Sequence, residues 1–136
     1  MIRLERIMPA QAVALALLGL TCLGCGGNSG PERADVSGYV TFQGEPVPVG
    51  TIEYRPNSEK GTSGPQVFLV IKDGYYDSDG KGPVFGHHTV KVSGYTGVEI
   101  PFVPEGERLF PVHKDEVEIT EDSYTINYEF PLPNQG

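Results

Sequence analysis

The residues best suited to chemistry fall in three clusters, and each cluster lacks a part that its chemistry needs. Asp77-Ser78-Asp79-Gly80 follows Asp73-Gly74, and closely spaced carboxylates with a turning glycine are how a loop gathers oxygen ligands around a calcium ion. Asp73, Asp77 and Asp79 are therefore the candidate calcium ligands. No glutamate stands where it would close the loop, and Asp-Gly pairs are also what tight turns use, so the expected role is a turn. His87 and His88 are adjacent, and on a strand neighbours face opposite sides, which prevents chelation of one metal. His113-Lys114-Asp115-Glu116 has the H-x-x-E spacing of a zinc site, but no histidine follows it and a third ligand is missing. No Gly-x-Ser-x-Gly elbow occurs for a serine nucleophile. The expectation is a protein with no catalytic residues and no bound metal.

The two cysteines carry a different chemistry. Met1 to Met8 contains Arg3 and Arg6 against Glu5, and Ala10 to Leu23 is almost wholly apolar. A basic end, an apolar run and small residues at its close form a secretory signal. The run is about fourteen residues, short of the roughly 20 a bilayer-spanning helix needs. It ends in Leu23-Gly24-Cys25, which resembles a bacterial lipobox, where a cysteine receives diacylglycerol before cleavage on its N-terminal side. Cys22, three positions earlier, stands where that pattern prefers leucine; with Thr21 before it, Cys22 fits less well as the acceptor. The expected arrangement is a lipoprotein signal peptide over residues 1–24 and a lipidated Cys25. Cleavage and acylation would leave no thiol for a disulfide. Each acyl methylene in the bilayer contributes about 0.8 kcal/mol, and a second chain makes the anchoring stable.

Residues 25–34 are small, polar and turn-forming, from Gly26-Gly27-Asn28-Ser29-Gly30 onward. They read as a flexible tether with a reach on the order of 15–20 Å. Residues 35–136 suit one domain. The chain carries a net charge of −8, and removing the leader makes it one unit more negative. An acidic domain without a basic patch is a poor nucleic-acid binder.

From Asp35 onward the apolar period is two. Val36, Gly38, Val40 and Phe42 alternate with polar residues, as do Ile52 and Tyr54, then His88, Val90 and Val92, then Val117 and Ile119, and finally Tyr124, Ile126, Tyr128 and Phe130. These are strands with one buried face. Val67 to Ile71 is continuously apolar, the pattern of a strand covered on both faces. Eighteen glycines and twelve prolines, mostly between these runs, mark turns. Six or seven short strands at this spacing predict an all-β, antiparallel sandwich.

The run from Val36-Ser37-Gly38-Tyr39-Val40 through Gly44-Glu45-Pro46-Val47 to Ile52-Glu53-Tyr54, with Asp73-Gly74-Tyr75-Tyr76 and Gly86-His87-His88-Thr89-Val90, resembles the carboxypeptidase regulatory-like domains. The resemblance covers about Asp35 to Phe130 and implies a seven-stranded, transthyretin-like β-sandwich. His88 stands where tyrosine is commoner in that family. The resemblance implies a non-catalytic domain. The hydrolases of the transthyretin fold end in Y-R-G-S, whereas this chain ends Leu132-Pro133-Asn134-Gln135-Gly136.

Two kinds of function fit. One is a protein-interaction or structural module of the cell envelope, lipid-anchored to a membrane at the periplasmic or outer-membrane face and docking another envelope protein through an edge strand or the long loop from Glu99 to Glu116. The other is a module that binds a glycan or peptide through exposed aromatics. Tyr75, Tyr95, Phe102 and Phe110 are the candidate binding residues. For the anchor, mass spectrometry of membrane-extracted protein should find a chain that begins at Cys25 and carries diacylglycerol. Cys25→Ser should abolish both cleavage and lipid, and unmodified Cys25 in the mature protein would contradict the assignment.

Overall fold

The structure, a computed structural model, describes residues 30–131. The signal segment, its expected helix and Cys25 lie outside the described residues. Within them the chain is all-β, with strands β1 (Asp35–Phe42), β2 (Glu45–Pro46), β3 (Val49–Pro56), β4 (Val67–Lys72), β5 (Tyr75–Asp77), β6 (Gly86–Tyr95), β7 (His113–Ile119), β8 (Ser123–Thr125) and β9 (Tyr128–Phe130). One 3-10 turn, Ser58–Lys60, is capped by the Asn57 side chain, which accepts from the Glu59 and Lys60 amides.

The tight connections follow from local chemistry. Gln43-Gly44 joins β1 to β2 and Asp73-Gly74 joins β4 to β5, with all four residues at positive φ. Two-residue hairpins need that conformation because its twist matches the flanking strands. The strands run in the order β2-β1-β5-β4-β3-β6-β7, with β8 and β9 also on β1. Most neighbours are antiparallel and the sheet curls on itself. Val36 and Val40 of β1, Ile52 and Tyr54 of β3, Val90 and Val92 of β6, and Tyr128 and Phe130 of β9 thereby share one apolar cluster.

Strand β1 is paired on both sides. Its first half meets β5 antiparallel and β8 parallel, and its second half meets β2 antiparallel and β9 parallel. The parallel pairs depart from the expected antiparallel arrangement. The chain must cross from β7 back to β1, and no hairpin makes that crossing. The strand count also rises from the expected seven to nine. Strand β2 is a two-residue extension, and the last alternating run divides at Ile126-Asn127 into β8 and β9.

That division is where the chain presses on β1. A Cβ on Gly38 would lie 2.0 Å from the Ile126 carbonyl oxygen. The Ile126 amide donates to the Ser37 carbonyl (2.9 Å), and the Tyr39 amide donates to Asn127 Oδ1 (2.9 Å). The Tyr76 hydroxyl donates to the Ile126 carbonyl from the core side. Glycine here permits a close backbone approach.

Two further expectations need correction. Strand β4 is covered on one face only: Val67, Leu69 and Ile71 are buried, while Phe68 and Val70 are 62% and 68% exposed. Among the described residues nothing packs on the outer side of this part of the sheet. Arg33 and Ala34, assigned by composition to the tether, already belong to the fold. Arg33 bridges to Val84, and buried Ala34 donates its amide to the Pro83 carbonyl (2.9 Å). Gly38→Ala should destabilise the domain by about 3 kcal/mol, measured by urea unfolding, because the clash is with main chain that cannot rotate aside. Wild-type stability in this variant would contradict the closure.

Candidate functional site

The three candidate calcium ligands do not converge. Asp73 lies in the β4–β5 turn, at the opposite end of β5 from Asp77 and Asp79. Asp77 Oδ1 accepts from the Asp79 amide (2.8 Å), and Asp77 Oδ2 accepts from the Tyr75 hydroxyl (3.0 Å). Asp35, distant in sequence, joins this loop instead, accepting from the Gly80 amide (2.9 Å) and from Ser78 Oγ (3.2 Å). Buried Ser78 in turn accepts from the Val36 amide (3.0 Å). The carboxylates thus tie the turn to β1, as side-chain turns do. Among the described residues no three His, Cys, Asp or Glu side chains gather as a metal site.

The histidines are also apart. His87 and His88 take opposite faces of β6: half-buried His87 lies 3.7 Å from Glu118, and His88 is 1% exposed inside the fold. His88 Nδ1 pairs with the Gly86 carbonyl (3.0 Å), while its Nε2 has no partner among the described residues. Burial holds its pKa below the ordinary histidine value, with a smaller contribution from His87. His113 and Glu116 are three apart on β7 and so face opposite sides. The His113 ring stands edge-on to Phe130 (5.4 Å) and Tyr128 (6.0 Å). The buried hydroxyls of Tyr54 and Tyr128 likewise have no partner among the described residues. Burial raises both hydroxyl pKa values well above the ordinary tyrosine value.

The candidate binding aromatics separate into different environments. Phe110 is a buried core residue, stacked on Phe130 at 4.0 Å. Tyr75 is 41% exposed and packs at 5.2 Å against exposed Tyr39, which sequence reasoning did not single out. Half-buried Tyr95 lies under the Arg108 guanidinium, 5.7 Å from the ring centroid. Strand pairing places Tyr39, Tyr75, Lys72, Val49 and Tyr95 in one row across the outer face. Tyr75 and Tyr95 are three strand spacings apart, roughly 14 Å, so a single sugar ring cannot bridge them.

Phe102 is different: its side chain is fully exposed, at 104%. The long loop of the sequence is in fact an extension of β6. Strand β7 begins at His113, so the last four residues expected in the loop, His113 to Glu116, are strand, and the remainder folds back on itself. The Thr96 amide donates to the Glu107 carbonyl (2.9 Å), Gly97 to Glu105 (2.8 Å) and Gly106 to Val103 (3.1 Å). Thr96 Oγ1 accepts from the Val98 (3.3 Å) and Glu107 (3.2 Å) amides. Gly106 has a φ of 86°, and a Cβ there would strike Thr96 Oγ1, so glycine is required to close the brace.

At the apex, Ile100 and Val103 exchange both main-chain hydrogen bonds, at 3.2 and 3.0 Å, around Pro101-Phe102. Proline in the second position and a positive φ in the third are the marks of a type II turn, where glycine ordinarily takes the third position. Here it is Phe102, at a φ of 66°. A bulky residue in the left-handed region is under strain. Val98 (67% exposed) and Val103 (36%) accompany it, with Glu99, Glu105 and Glu107 nearby in the segment. Proline at 101 and the glycines at 97 and 106 were readable signals of turns; the exposure of Phe102 was not.

Beside this finger, Pro104, Glu105 and Gly97 form one wall of a surface groove of about 500 Å³, and Val49, Val70 and Lys72 of the outer face form the rest of it. Compared with protein-family models, with curated proteins and with solved structures, the chain gives no match.

The pH dependence of stability follows from His88. Its folded pKa is below the unfolded value of about 6.5, so the unfolded chain binds the proton first. Stability is full above that pH, falls as pH drops through the window beneath it, and levels off once the folded form also protonates. Lys60 lowers the pKa of Glu116 through a hydrogen bond, so Glu116 contributes only at more acid pH. Urea titrations from neutral pH to about 5 should show the loss, and His88→Leu should flatten it. An unchanged slope in that variant would assign the acid sensitivity elsewhere.

Proposed function

We propose that this chain is a non-enzymatic, lipid-anchored docking module of the cell envelope, whose all-β domain is a transthyretin-like sandwich of the carboxypeptidase regulatory type. Its partner is another envelope protein, engaged by the braced finger from Thr96 to Glu107. The observation that carries this reading is Phe102, a fully exposed aromatic at a strained turn apex. Strain of this kind costs on the order of 1–3 kcal/mol and persists only where the surroundings enforce it. The other non-glycine residues at positive φ among the described ones, Gln43, Asp73 and Asp79, are all polar; a bulky aromatic stands at Phe102 alone.

The chemistry of the finger defines its receptor. An apolar tip inserts into an apolar pocket, and three glutamates beside it call for a basic rim around that pocket. Desolvated aromatics at the centre of an interface dominate its energy, while rim charges set the association rate and its salt dependence. A rigid finger loses little entropy on docking. The sandwich reading is supported by the glycine-permitted closure at Gly38 and by the Asp-Gly hairpin before Tyr75-Tyr76, both within the stretches that carry the family resemblance. The anchor reading rests on the lipobox at Cys25. Exposed Tyr39 and Tyr75 support a second reading, a glycan platform, in which Tyr75→Ala would abolish binding and changes at Phe102 would not.

Two measurements test the docking reading. A photoreactive benzoylphenylalanine in place of Phe102 should cross-link one envelope protein in intact cells, with yield falling as salt rises; the same probe at exposed Lys81 should not. Phe102→Gly should weaken docking by more than about tenfold and at the same time stabilise the domain by roughly 1 kcal/mol, because the left-handed strain is relieved. Equal capture from both positions, or full docking by Phe102→Gly, would overturn the proposal.

A further inference from the structure

Strand β4 has a main-chain edge that the described residues leave largely unpaired. Strand β3 pairs with it along its whole length, from Val67 to Lys72, but β5 pairs with it only at Lys72. The Asp73 amide donates to the Pro48 carbonyl at the end of β3 (2.9 Å). Main-chain groups alternate in direction along a strand, so those of Ile71, Leu69 and Val67 also face β3. Those of Val70 and Phe68 face away from it, toward the open edge. The edge reads Val67-Phe68-Leu69-Val70-Ile71, without a charge, and its two outward side chains are more than half exposed.

Strand β7, whose one partner among the described strands is β6, shows how this fold blunts an edge. It carries Lys114, Asp115, Glu116 and Glu118, and charges of this density deter added strands. The contrast with β4 points to use rather than neglect.

We infer that β4 pairs edge to edge with β4 of a second copy of this chain, antiparallel about a two-fold axis at Phe68. A two-fold contact places the same patch on both sides, and this edge is self-complementary in that register. Phe68 meets Phe68 of the second copy on the outer face, Val67 meets Leu69 on the inner face, and Val70 meets Gln66. The main-chain groups of Phe68 and Val70 then face their counterparts and complete the ladder. Pro65 falls opposite Ile71, at a position that needs no amide donor. Beyond it Gly64 begins the departing loop, before the second strand would reach Tyr75, which occupies the edge at Lys72. No like charges stand opposite each other along the added pair. Phe102 at the apex of the finger is not among the paired residues, so the dimer would present two fingers.

The test uses the full chain in intact cells, with benzoylphenylalanine replacing Phe68. Irradiation should give a covalent species of twice the chain mass, with a cross-linked peptide containing the 66–72 segment of two copies. Adding Val70→Lys should cut that yield by about tenfold or more, since a charged side chain then flanks the pairing edge; Val70 is exposed, so the fold is spared. Monomer only, links from position 68 to a different protein, or an undiminished yield with Val70→Lys would each overturn the inference. Capture through position 102 is read separately, so failure of the dimer and failure of the docking reading are distinguishable.

Discussion

Gly38 lies where the returning C-terminal segment crosses β1, and the closure of the sheet depends on the absence of a side chain there. The turn at Ile126-Asn127 approaches β1 so closely that a single methyl group would meet the Ile126 carbonyl oxygen. With that space kept empty, β8 and β9 both lie parallel against β1, and Tyr128 and Phe130 drop into the core. Phe130 then stacks on Phe110, which fixes the segment leading into β7. The far end of that same segment is the finger.

The finger and the open edge of β4 are two outcomes of one limit. A single curled sheet of this length has enough apolar surface to fill its inner face and little to cover the outer one. Phe68, Val70, Tyr39 and Tyr75 remain outside in consequence. Isolated apolar residues on a surface need no explanation. A fully exposed phenylalanine at positive φ and an uncharged five-residue edge are each less ordinary, and natural sheets usually protect such edges. The groove bounded by Val70 and Pro104 lies between them.

Strands and turns were largely legible in the sequence because they are local. The alternation around Val36, Ile52, Val90 and Ile119 marks the buried face directly, and Asp73-Gly74 specifies its hairpin by conformation alone. Features that depend on distant partners were not legible. Nothing near Asp35 signals that its carboxylate closes the turn at Gly80. The run from Val67 to Ile71 does not say whether one face or both are covered; that depends on what else the chain has available to place there. Phe102 and Phe110 look equivalent in a loop rich in proline, yet one is solvent and the other core. Their difference arises from the pairing of Leu109 with Gly94 and of Thr96 with Glu107, which directs the chain inward at one point and outward at the other.

Phe102 sits on a hydrogen-bonded support, which under the proposed docking role needs no ordering before a partner is met. Amide hydrogen exchange on the free protein tests it most directly. The amides of Thr96, Gly97, Val103 and Gly106 all donate to main-chain carbonyls in the finger, so they should exchange far more slowly than an unstructured chain, approaching the protection of neighbouring β6. Exchange of these four amides at the rate of an open loop would contradict the account, since the finger would then have no fixed shape to offer a partner.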